Sequence, residues 1–319
     1  MTPSLLEVLD TAVPFEVPLR VPFRGVTRRV GLLLRGPAGW GEFAPFDNYA
    51  PRMAARWLSA ALEAAWVGWP APVRDSVAVN LIVPALPAPA VAKLLADAAG
   101  ATVKVKVTGD LPADRERVAA VRDLVGPAAR IRLDVNAAWT LADALQQLPV
   151  LAQAAGGLEY VEQPLASLAE MAQLRCETGI AVAVDETLRL ATDPFDPAML
   201  AAVRDAADVA VLKVAPLGGV GNVLTLARRL AMPVVVSSAM DTAVGLSAGI
   251  AAACALPHPP LACGLGTGAL LAADVIDPPL VPVDGRLSPV HPTPRTDLVV
   301  GKQDAARMVQ RLTEAWEYL

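Results

Sequence analysis

The chain has 319 residues, of which 54% are hydrophobic, and its formal net charge at neutral pH is −5. This composition supplies a large core, and the lack of a Lys/Arg block gives no electrostatic support for a nucleic-acid partner. No apolar run reaches the roughly 18 residues that a membrane-spanning helix needs, and no basic segment precedes an apolar one at the N-terminus. The three cysteines are scattered without C-x-x-C spacing, which indicates a reducing compartment, so we expect a cytoplasmic protein away from membranes.

The N-terminal region predicts a small α+β domain. Strand-like runs lie at residues 13–21 and 29–34, and a helix-like stretch spans residues 51–68. We expect this domain to cap the rest of the chain, with the amphipathic segment 303–319 packing back on it. The predicted boundaries are a capping domain at residues 1–76, a catalytic domain at 77–286 and a tail at 287–319.

From residue 77 onward, short β-rich runs alternate with longer Ala/Leu-rich stretches. The strand-like runs are 77–83, 102–107, 130–135, 158–162, 181–184, 209–214 and 233–237, with a weaker eighth near 261–265. The helix-like stretches are 88–99, 112–125, 140–155, 167–178, 195–205, 218–231 and 241–255. This alternation predicts an α/β fold with right-handed βαβ units, and eight strands in a row favour a (β/α)-barrel, a modified TIM barrel, over an open sheet. No G-x-G-x-x-G follows the first strand, which argues against a dinucleotide-binding fold.

Polar residues stand at the C-terminal ends of these predicted strands, which is the end that carries the chemistry in such barrels. They are Lys106, Asp134, Asn136, Glu162, Asp185 and Lys213. Because Lys106, Asp134, Glu162, Asp185 and Lys213 follow one another at about one βα unit, and Asn136 is two residues from Asp134, we expect them around a single ring. Asp134, Glu162 and Asp185 supply carboxylate oxygens, which are the ligands that Mg²⁺ prefers. Any one of them alone reads equally well as a helix cap or an arginine partner, but three in register favour a metal site.

Lysine is used sparingly, with five lysines among 27 basic residues. Lys104 and Lys106 lie in V-K-V-K-V and share one face of their strand. An exposed edge strand explains such a pattern, but in a barrel a buried lysine must be compensated or lose its charge. We expect the repulsion between them to lower one pKa towards neutrality, as a general base requires. Lys213 is expected to face Lys106 across the metal, and a salt-bridged structural role for one lysine stays open.

Five short motifs occur in this part of the chain. They are K-V-K at 104–106, L-D-V-N at 133–136, V-E-Q-P at 161–164, V-D-E-T at 184–187 and L-K at 212–213. Together they resemble the enolase superfamily over nearly the whole chain, in particular the branch typified by muconate lactonizing enzymes. The resemblance implies Mg²⁺ bound by Asp134, Glu162 and Asp185, with Lys106 and Lys213 as the catalytic lysines. It also implies that Lys104 and Asn136 face or support the substrate.

Within that branch the sequence is most similar to the o-succinylbenzoate synthases, through D-V-N-A-A-W at 134–139. Val135 stands where alanine is usual and Ala137 where arginine is frequent. The change at 137 puts local polar contacts in doubt, but not the metal site. The similarity implies a Mg²⁺-dependent syn-dehydration in menaquinone biosynthesis that passes through an enediolate. The expected partner is a small carboxylate, with neither nucleic acid nor membrane, and the sequence makes no prediction of oligomeric state.

Further substrate-binding roles are predicted for residues after the later strands and near the cap. They are Ser237, Ser238, Gly218, Gly219 and Arg28. Arg28 is expected, with Arg24 and Arg29, in a cap loop over the mouth of the site. Ordinary surface or turn roles explain these residues equally well.

Other functions stay open at this point. Two opposed lysines also suit an N-acylamino acid racemase, because they can exchange a proton on both faces of a carbon. A muconate-type cycloisomerase is not excluded, and neither is a non-catalytic binding module, although every expected catalytic group is present. Dipeptide epimerases usually carry Asp-x-Asp near the eighth strand, whereas this chain has C-G-L-G at 263–266, which argues against them.

Overall fold

The computed structural model describes residues 3–23, 25–95, 98, 100–295 and 297–319. Within these ranges the strands are β1 (Val13–Phe23), β2 (Val26–Gly36), β3 (Gly39–Phe43), β4 (Val77–Ala78), β5 (Leu81–Val83), β6 (Thr102–Lys106), β7 (Arg130–Asp134), β8 (Tyr160–Glu162), β9 (Val182–Val184), β10 (Val209–Lys213), β11 (Val234–Ser237) and β12 (Arg286–Leu287). The α-helices are α1 (Leu5–Asp10), α2 (Pro51–Leu62), α3 (Ala88–Leu94), α4 (Leu111–Val125), α5 (Leu141–Ala154), α6 (Leu168–Thr178), α7 (Glu186–Arg189), α8 (Pro197–Ala206), α9 (Val214–Leu217), α10 (Val220–Leu230), α11 (Ala243–Ala255) and α12 (Lys302–Trp316). A π-helical turn continues α2 over Glu63–Val67, and a 3₁₀ turn covers Gly266–Leu270. The end of the helix predicted at 88–99 lies outside the described residues.

The N-terminal strands β1, β2 and β3 form an antiparallel sheet in that order. The strands predicted at 13–21 and 29–34 and the helix predicted at 51–68 are confirmed, but β3 was not predicted. This strand approaches α2 so closely that a Cβ at Gly41 would lie 2.0 Å from the carbonyl oxygen of Ala61. Glycine is therefore required there, and it is also the residue that weakens a strand pattern in sequence.

The C-terminal helix α12 contributes to the core beside this sheet. Its Met308, Leu312 and Ala315 share a buried apolar cluster with Leu32 of β2 and Trp57 of α2. The spacing of the three α12 residues places them on one face of a helix. The amphipathic segment predicted at 303–319 is thus a helix whose apolar face is buried against β2 and α2.

A second sheet of seven strands runs in the order β11-β10-β9-β8-β7-β6-β5. The ladders from β5 to β10 are parallel, and helices connect the successive strands from β5 onward, as parallel pairing requires. The strand interiors are fully buried, for example at Val105, Ile131, Leu133 and Val161. Continuous apolar runs of this kind are typical of parallel strands covered on both faces. The predicted fold class, β/α units with an N-terminal α+β cap, is confirmed.

Side-chain caps begin several of the connecting helices. Asp110 accepts from Ala113 N at the start of α4, Thr140 forms a capping box at the start of α5, and Asp196 caps α8. These local signals explain why the predicted helix starts agree with the observed ones to about two residues. None of the described helices is both long enough and apolar enough to span a membrane.

The prediction of an eighth strand at 261–265 is wrong. Among the described residues this run forms isolated hydrogen bonds and no regular ladder. Gly264 N donates to Val236 O at 2.9 Å, and Cys263 N donates to Ala78 O at 2.7 Å. Gly264 also forms an isolated parallel bridge with Ser237. A Cβ at Gly264 would lie 2.4 Å from Ser237 Oγ, so glycine permits the close approach. The same glycine content makes a regular strand unfavourable.

The single strand predicted at 77–83 is two strands. β4 pairs with β12 in an antiparallel ladder, whereas β5 pairs with β6 in a parallel one. Asn80 lies at the break and is buried, with its Oδ1 accepting from Arg132 Nη1 at 3.0 Å. The run predicted as one strand is thus interrupted at Asn80, whose buried side chain bonds to Arg132 where the two ladders meet.

The chain divides into two compact units. Unit 1 combines Met1–Ala78 with Leu212–Leu226 and Val236–Leu319, and unit 2 combines Val79–Val211 with Ala227–Val235. The division into cap, catalytic domain and tail at residues 76 and 286 stays a prediction.

Truncating Leu312 tests the packing of α12. Leu312 is fully buried, so Leu312→Ala is expected to lower the free energy of unfolding by about 2–5 kcal/mol through lost contacts and a residual cavity. Chemical denaturation measures the change. Val309 lies on the same helix and is 38% exposed, so Val309→Ala is the matched control, with an expected change below about 0.5 kcal/mol. Equally small losses for both variants would contradict the burial of this helix face.

Candidate active site

Unit 2 carries the C-terminal ends of β6 to β9, where polar residues stand side by side. The parallel ladders pair Lys106 with Asp134 and Asp134 with Glu162. Asp185 directly follows β9. All four side chains are buried. The register therefore places one lysine and two carboxylates at the same level of one sheet edge, with the third carboxylate at the next strand end.

Two lysine ammonium groups lie among these carboxylates. Lys106 Nζ forms an ion pair with Asp134 Oδ2 and donates to Asn136 Oδ1 at 2.7 Å. Lys104 Nζ lies 3.1 Å from Asp134 Oδ2 and 3.0 Å from Glu162 Oε2. Buried charges persist only where opposite charges and hydrogen bonds compensate them, and this set of side chains provides both.

The pKa of Lys104 is raised above its ordinary value. Desolvation by burial is the largest effect and lowers it, but the attraction of the Glu162 and Asp134 carboxylates outweighs that effect. Lys104 is therefore held as a cation. The expected lowering of one lysine pKa in this pair does not fall on Lys104, because the carboxylates act on it more strongly than a neighbouring ammonium does.

A chain of polar contacts continues from Lys106 to Asp185. Asn136 accepts from Lys106 Nζ, and its own Nδ2 donates to Glu186 Oε1 at 3.1 Å. Arg189 Nη2 lies 2.6 Å from Glu186 Oε1, and its Nε lies 3.3 Å from Asp185 Oδ1. The structure thus gathers into one network every site residue that the sequence predicts within unit 2.

The backbone around this network is held in unusual conformations. Asn136 has a φ of 54° and Gln163 a φ of 40°, in the left-handed region that residues with a Cβ rarely adopt. Gln163 Oε1 accepts from Asp185 N at 2.9 Å and from Thr187 N at 3.2 Å. Its side chain therefore fixes the turn that presents the Asp185 carboxylate. Strain of this kind collects at functional sites because the surrounding contacts over-determine it.

The three carboxylates are, by residue type, suited to a hard divalent cation. Asp134, Glu162 and Asp185 offer carboxylate oxygens from three neighbouring strand ends, which suits Mg²⁺. The Lys104 ammonium already lies within 3.1 Å of two of these carboxylates, so their oxygens are arranged to receive positive charge. Within the described part of the chain, no three Asp, Glu, His or Cys side chains converge as closely as bound metal ligands do. Here the Lys104 ammonium lies between the carboxylates of Asp134 and Glu162 instead.

Unit 1 contains the predicted Lys213, Ser237 and Ser238. Lys213 is the last residue of β10 and is buried. Ser237 Oγ donates to Gly264 O at 3.3 Å, and Ser238 Oγ lies 2.7 Å from Thr267 Oγ1. A hydroxyl offers one donor and two acceptor positions, so each serine hydroxyl keeps two positions for further hydrogen bonds.

The turn at Gly218 and Gly219 is closed by the protein's own groups. The N–H groups of these two residues donate to Ala215 O and Val214 O at 3.1 and 3.0 Å. The next two N–H groups in the chain, those of Val220 and Gly221, donate to the carboxylate of Glu63 at 2.5 and 2.9 Å. With φ values of 88° and 129°, the two glycines are explained by turn geometry. Their predicted substrate contact gains no support from these bonds.

Two of the three arginines predicted in a cap loop lie in a strand. Arg28 and Arg29 belong to β2, so the loop assignment is wrong for both, and Arg24 lies outside the described residues. Arg28 Nη1 pairs with Glu16 Oε2 at 2.9 Å and with Asp304 Oδ2 at 2.8 Å, at a half-exposed position. Its charge is thus used between β1, β2 and α12, and these contacts account for it without a substrate.

Two buried carboxyl groups of unit 1 have raised pKa values. Burial is the main cause for Glu42, followed by the charge of Asp241, and together they raise its pKa to about 7. The pKa of Asp241 is also raised by burial, against the opposing effect of its own hydrogen bonds and of Arg29 and Lys213. These groups belong to a cluster that the sequence analysis did not identify.

Sequence reasoning missed residues in each of the two units. Gln163 and Glu186 stand inside the V-E-Q-P and V-D-E-T motifs, so their position next to predicted ligands was a usable signal. Glu42 carries no such signal, because it lies in β3, the strand that the pattern did not predict. Its partners are about 200 residues away along the chain.

The fold and the site together define a protein of the β/α-barrel class with buried carboxylates and lysines at its C-terminal strand ends. Side chains of these types are able to transfer protons and to bind a cation. The chain belongs to the enolase superfamily: residues 88–294 match the family described as enolase C-terminal domain-like, and residues 15–65 match enolase N-terminal domain-like. The resemblance seen in the motifs is thereby confirmed.

The chain is also similar to individual curated proteins and to solved structures. The chain is 51% identical over 293 residues to an o-succinylbenzoate synthase of Thermobifida fusca, covering 90% of this chain and 89% of that protein. It is 48% identical over 314 residues to an o-succinylbenzoate synthase of Mycobacterium leprae, covering 96% and 91%. The structure also resembles the muconate lactonizing enzyme from Pseudomonas putida, with a TM-score of 0.71 at 20% identity and coverage of 93% and 98%. At that identity the structural likeness shows the fold alone.

The raised pKa values predict a pH dependence of stability. Glu42 binds its proton more tightly in the folded chain, with a pKa of about 7 against 4.5 for an ordinary glutamate. Its protonation therefore favours folding fully below pH 4.5, and this contribution is lost as the pH rises through 7. We therefore expect the difference in the free energy of unfolding between wild type and Glu42→Gln to change with pH. The wild-type value should decrease relative to that of the variant as the pH rises from 4.5 to 7. Urea denaturation at several pH values measures the difference, and a difference that does not change with pH would contradict the assignment.

Proposed function

We propose that this protein catalyses the o-succinylbenzoate synthase reaction. It would dehydrate 2-succinyl-6-hydroxy-2,4-cyclohexadiene-1-carboxylate to 2-succinylbenzoate in menaquinone biosynthesis. The observation that carries the proposal is the buried network of Lys104, Lys106, Asp134 and Glu162 at adjacent strand ends. Relatives at 48–51% identity that bear this name, aligned over 90% or more of the chain, support the choice of substrate.

We assign the reaction to the cytoplasm. All three cysteines, Cys176, Cys254 and Cys263, are free thiols, which supports a reducing compartment. The proposed partner is the small carboxylate substrate, with neither nucleic acid nor membrane.

Asp134, Glu162 and Asp185 are the proposed ligands of Mg²⁺. When bound there, the cation supplies electrostatic stabilisation for the negative charge that develops on the substrate carboxylate. The arrangement of two of these carboxylates around the Lys104 ammonium supports the assignment, since it is suited to positive charge. Gln163 keeps the Asp185 turn in place through the N–H groups of Asp185 and Thr187.

Lys106 is the proposed base. In its neutral form, Nζ takes the proton from the carbon beside the substrate carboxylate, and the electron pair of that C–H bond passes into the enediolate. The Lys106 ammonium then gives the proton to the departing hydroxyl, the C–O bond breaks, and one water leaves as the ring becomes aromatic. Because one group acts twice from one face, the elimination is syn. Asn136 orients Lys106 by accepting from Nζ at 2.7 Å.

Residues of unit 1 complete the proposal. Lys213, as a cation, stabilises the charge of the enediolate and the ring that becomes aromatic. Ser237 and Ser238 bind the succinyl arm with the hydrogen-bonding capacity that remains on their hydroxyls. Arg28 and the turn at Gly218 are given no substrate contact, because their polar groups are used within the protein.

The test follows the ultraviolet absorbance of the cyclohexadiene substrate in the presence of Mg²⁺. Wild type is expected to remove the diene absorbance, and Lys106→Ala to lower kcat by about 10²–10⁴-fold, because a general base contributes that much to rate. Asp134→Ala is expected to abolish turnover, since it removes a proposed ligand and the partner of both lysines.

Lys93→Ala is the matched control, because Lys93 is an exposed lysine in the last turn of α3. Its kcat and KM are expected to equal those of wild type. An inactive wild type would contradict the proposed reaction. Full activity in Lys106→Ala would contradict the assignment of the base while leaving the reaction standing.

A further inference from the structure

The segment 237–242, which we call the serine segment, carries the two hydroxyls proposed to bind the succinyl arm. It links β11 to α11 within unit 1. Its Met240 has a φ of 61°, a left-handed conformation that costs conformational energy for a residue with a Cβ. Such a backbone persists only where surrounding contacts hold it. Here those contacts come from strands β2 and β3, about 200 residues earlier in the chain.

Arg29 of β2 holds the strained residue. Its Nε donates to Met240 O at 3.0 Å, and its Nη2 donates to Ala44 O at 2.5 Å. The guanidinium carbon lies 4.4 Å from the ring centroid of Phe46. Arg29 is only 3% exposed, so a full charge is removed from water to make these contacts. The planar guanidinium thereby fixes the direction of one carbonyl group of the serine segment.

Glu42 of β3 holds the end of the same segment. Its Oε2 accepts from Thr242 N at 3.1 Å, from Thr242 Oγ1 at 2.5 Å and from Gly245 N at 2.9 Å. Glu42 is paired with Leu33 in the β2–β3 ladder, and Leu33 is four residues from Arg29, so Glu42 and Arg29 share a face of the sheet. The sheet therefore presents a buried cation and a buried anion to the same short segment.

Stability alone does not explain this pair of buried charges. Desolvating a charge is costly, and apolar replacements of similar volume often stabilise a fold as well or better. Asp241 lies in the same cluster, where its negative charge repels that of Glu42. What the charges provide is a defined geometry for the serine segment, since each of their hydrogen bonds has a fixed direction.

We propose that Arg29 and Glu42 are positioning residues for the dehydration, which fix the serine segment so that Ser237 and Ser238 meet the succinyl arm. The inference rests on the proposed function. Neither residue touches the reacting atoms, so the expected effect of a substitution is on KM for the substrate and much less on kcat.

Asp274 offers a matched control. It is also a buried carboxylate at the N-terminus of α11, where its Oδ1 accepts from Ala243 N at 3.0 Å and from Val275 N at 2.7 Å. Both donors lie outside the serine segment. Removing the charge of Asp274 or of Glu42 weakens the cap of the same helix, but only Glu42 is bonded to residue 242.

The experiment compares wild type, Glu42→Gln, Thr242→Val and Asp274→Asn by steady-state kinetics with Mg²⁺ and the cyclohexadiene substrate. Above pH 7, where Glu42 is ionised, Glu42→Gln is expected to raise KM by about tenfold, the effect of losing a charge-assisted hydrogen bond, with kcat nearly unchanged. Thr242→Val, which removes one of the three bonds to Glu42, raises KM less, and Asp274→Asn leaves KM unchanged. Wild-type KM values in both Glu42→Gln and Thr242→Val would overturn the proposal. If Glu42→Gln fails to fold, Thr242→Val decides by the same criterion.

Amide hydrogen exchange separates this inference from the proposed function, because it needs no substrate. The amides of Ser238 and Ala239 do not donate to Glu42; they donate to Gly264 O and Asp241 Oδ2. We expect them to exchange faster in Glu42→Gln than in Asp274→Asn. Equal exchange in the two variants overturns the positioning role even with an active wild type. Faster exchange in Glu42→Gln with an inactive wild type refutes the proposed reaction and leaves the positioning of the segment standing.

Discussion

Parallel strand pairing brings the carboxyl ends of neighbouring strands to one edge of a sheet, and in this protein that edge carries charges removed from water. Asp134 and Glu162 face each other across the β7–β8 ladder, and the ammonium groups of Lys104 and Lys106 lie between or beside them. Each charge requires the others, because an unpaired buried ion costs several kcal/mol. The positions of the surrounding turns follow from this requirement, including the left-handed backbone at Asn136 that lets its amide bridge Lys106 to Glu186.

In unit 1, too, buried polar groups are compensated by hydrogen bonds. Arg29 and Glu42 are buried polar side chains: Arg29 donates to backbone carbonyl groups, and Glu42 accepts from backbone N–H groups and from the Thr242 hydroxyl. Their proposed role is to fix a segment and not to take part in the chemistry. The antiparallel sheet that holds them depends on Gly41, whose missing Cβ allows β3 to approach α2. Burial raises the pKa of Glu42, because removing the ionised carboxylate from water is unfavourable.

The central sheet and its charged edge could be predicted from sequence because both follow from a short local period. A strand, a helix and a polar residue at the strand end recur about every 28 residues, so Lys106, Asp134 and Glu162 stand at equivalent positions. The contacts of Arg28 could not be predicted, because its partner Asp304 is 276 residues away and no local pattern records that approach. Glu42 was missed for a similar reason. The eighth strand was predicted wrongly, because Gly264 serves a close contact with Ser237 that overrides regular pairing.

The central claim is that the carboxylates at the ends of β7, β8 and β9 bind a divalent cation, and calorimetric titration of the metal-free protein with Mg²⁺ tests it most directly. The account predicts saturable binding at one site in wild type and at least about tenfold weaker binding in Glu162→Gln, since a charged oxygen ligand is lost. Glu159 directly precedes β8 and pairs with Arg132, and Glu159→Gln is predicted to bind Mg²⁺ as wild type does. Absence of binding to wild type, or equal affinity in wild type and Glu162→Gln, would contradict the account.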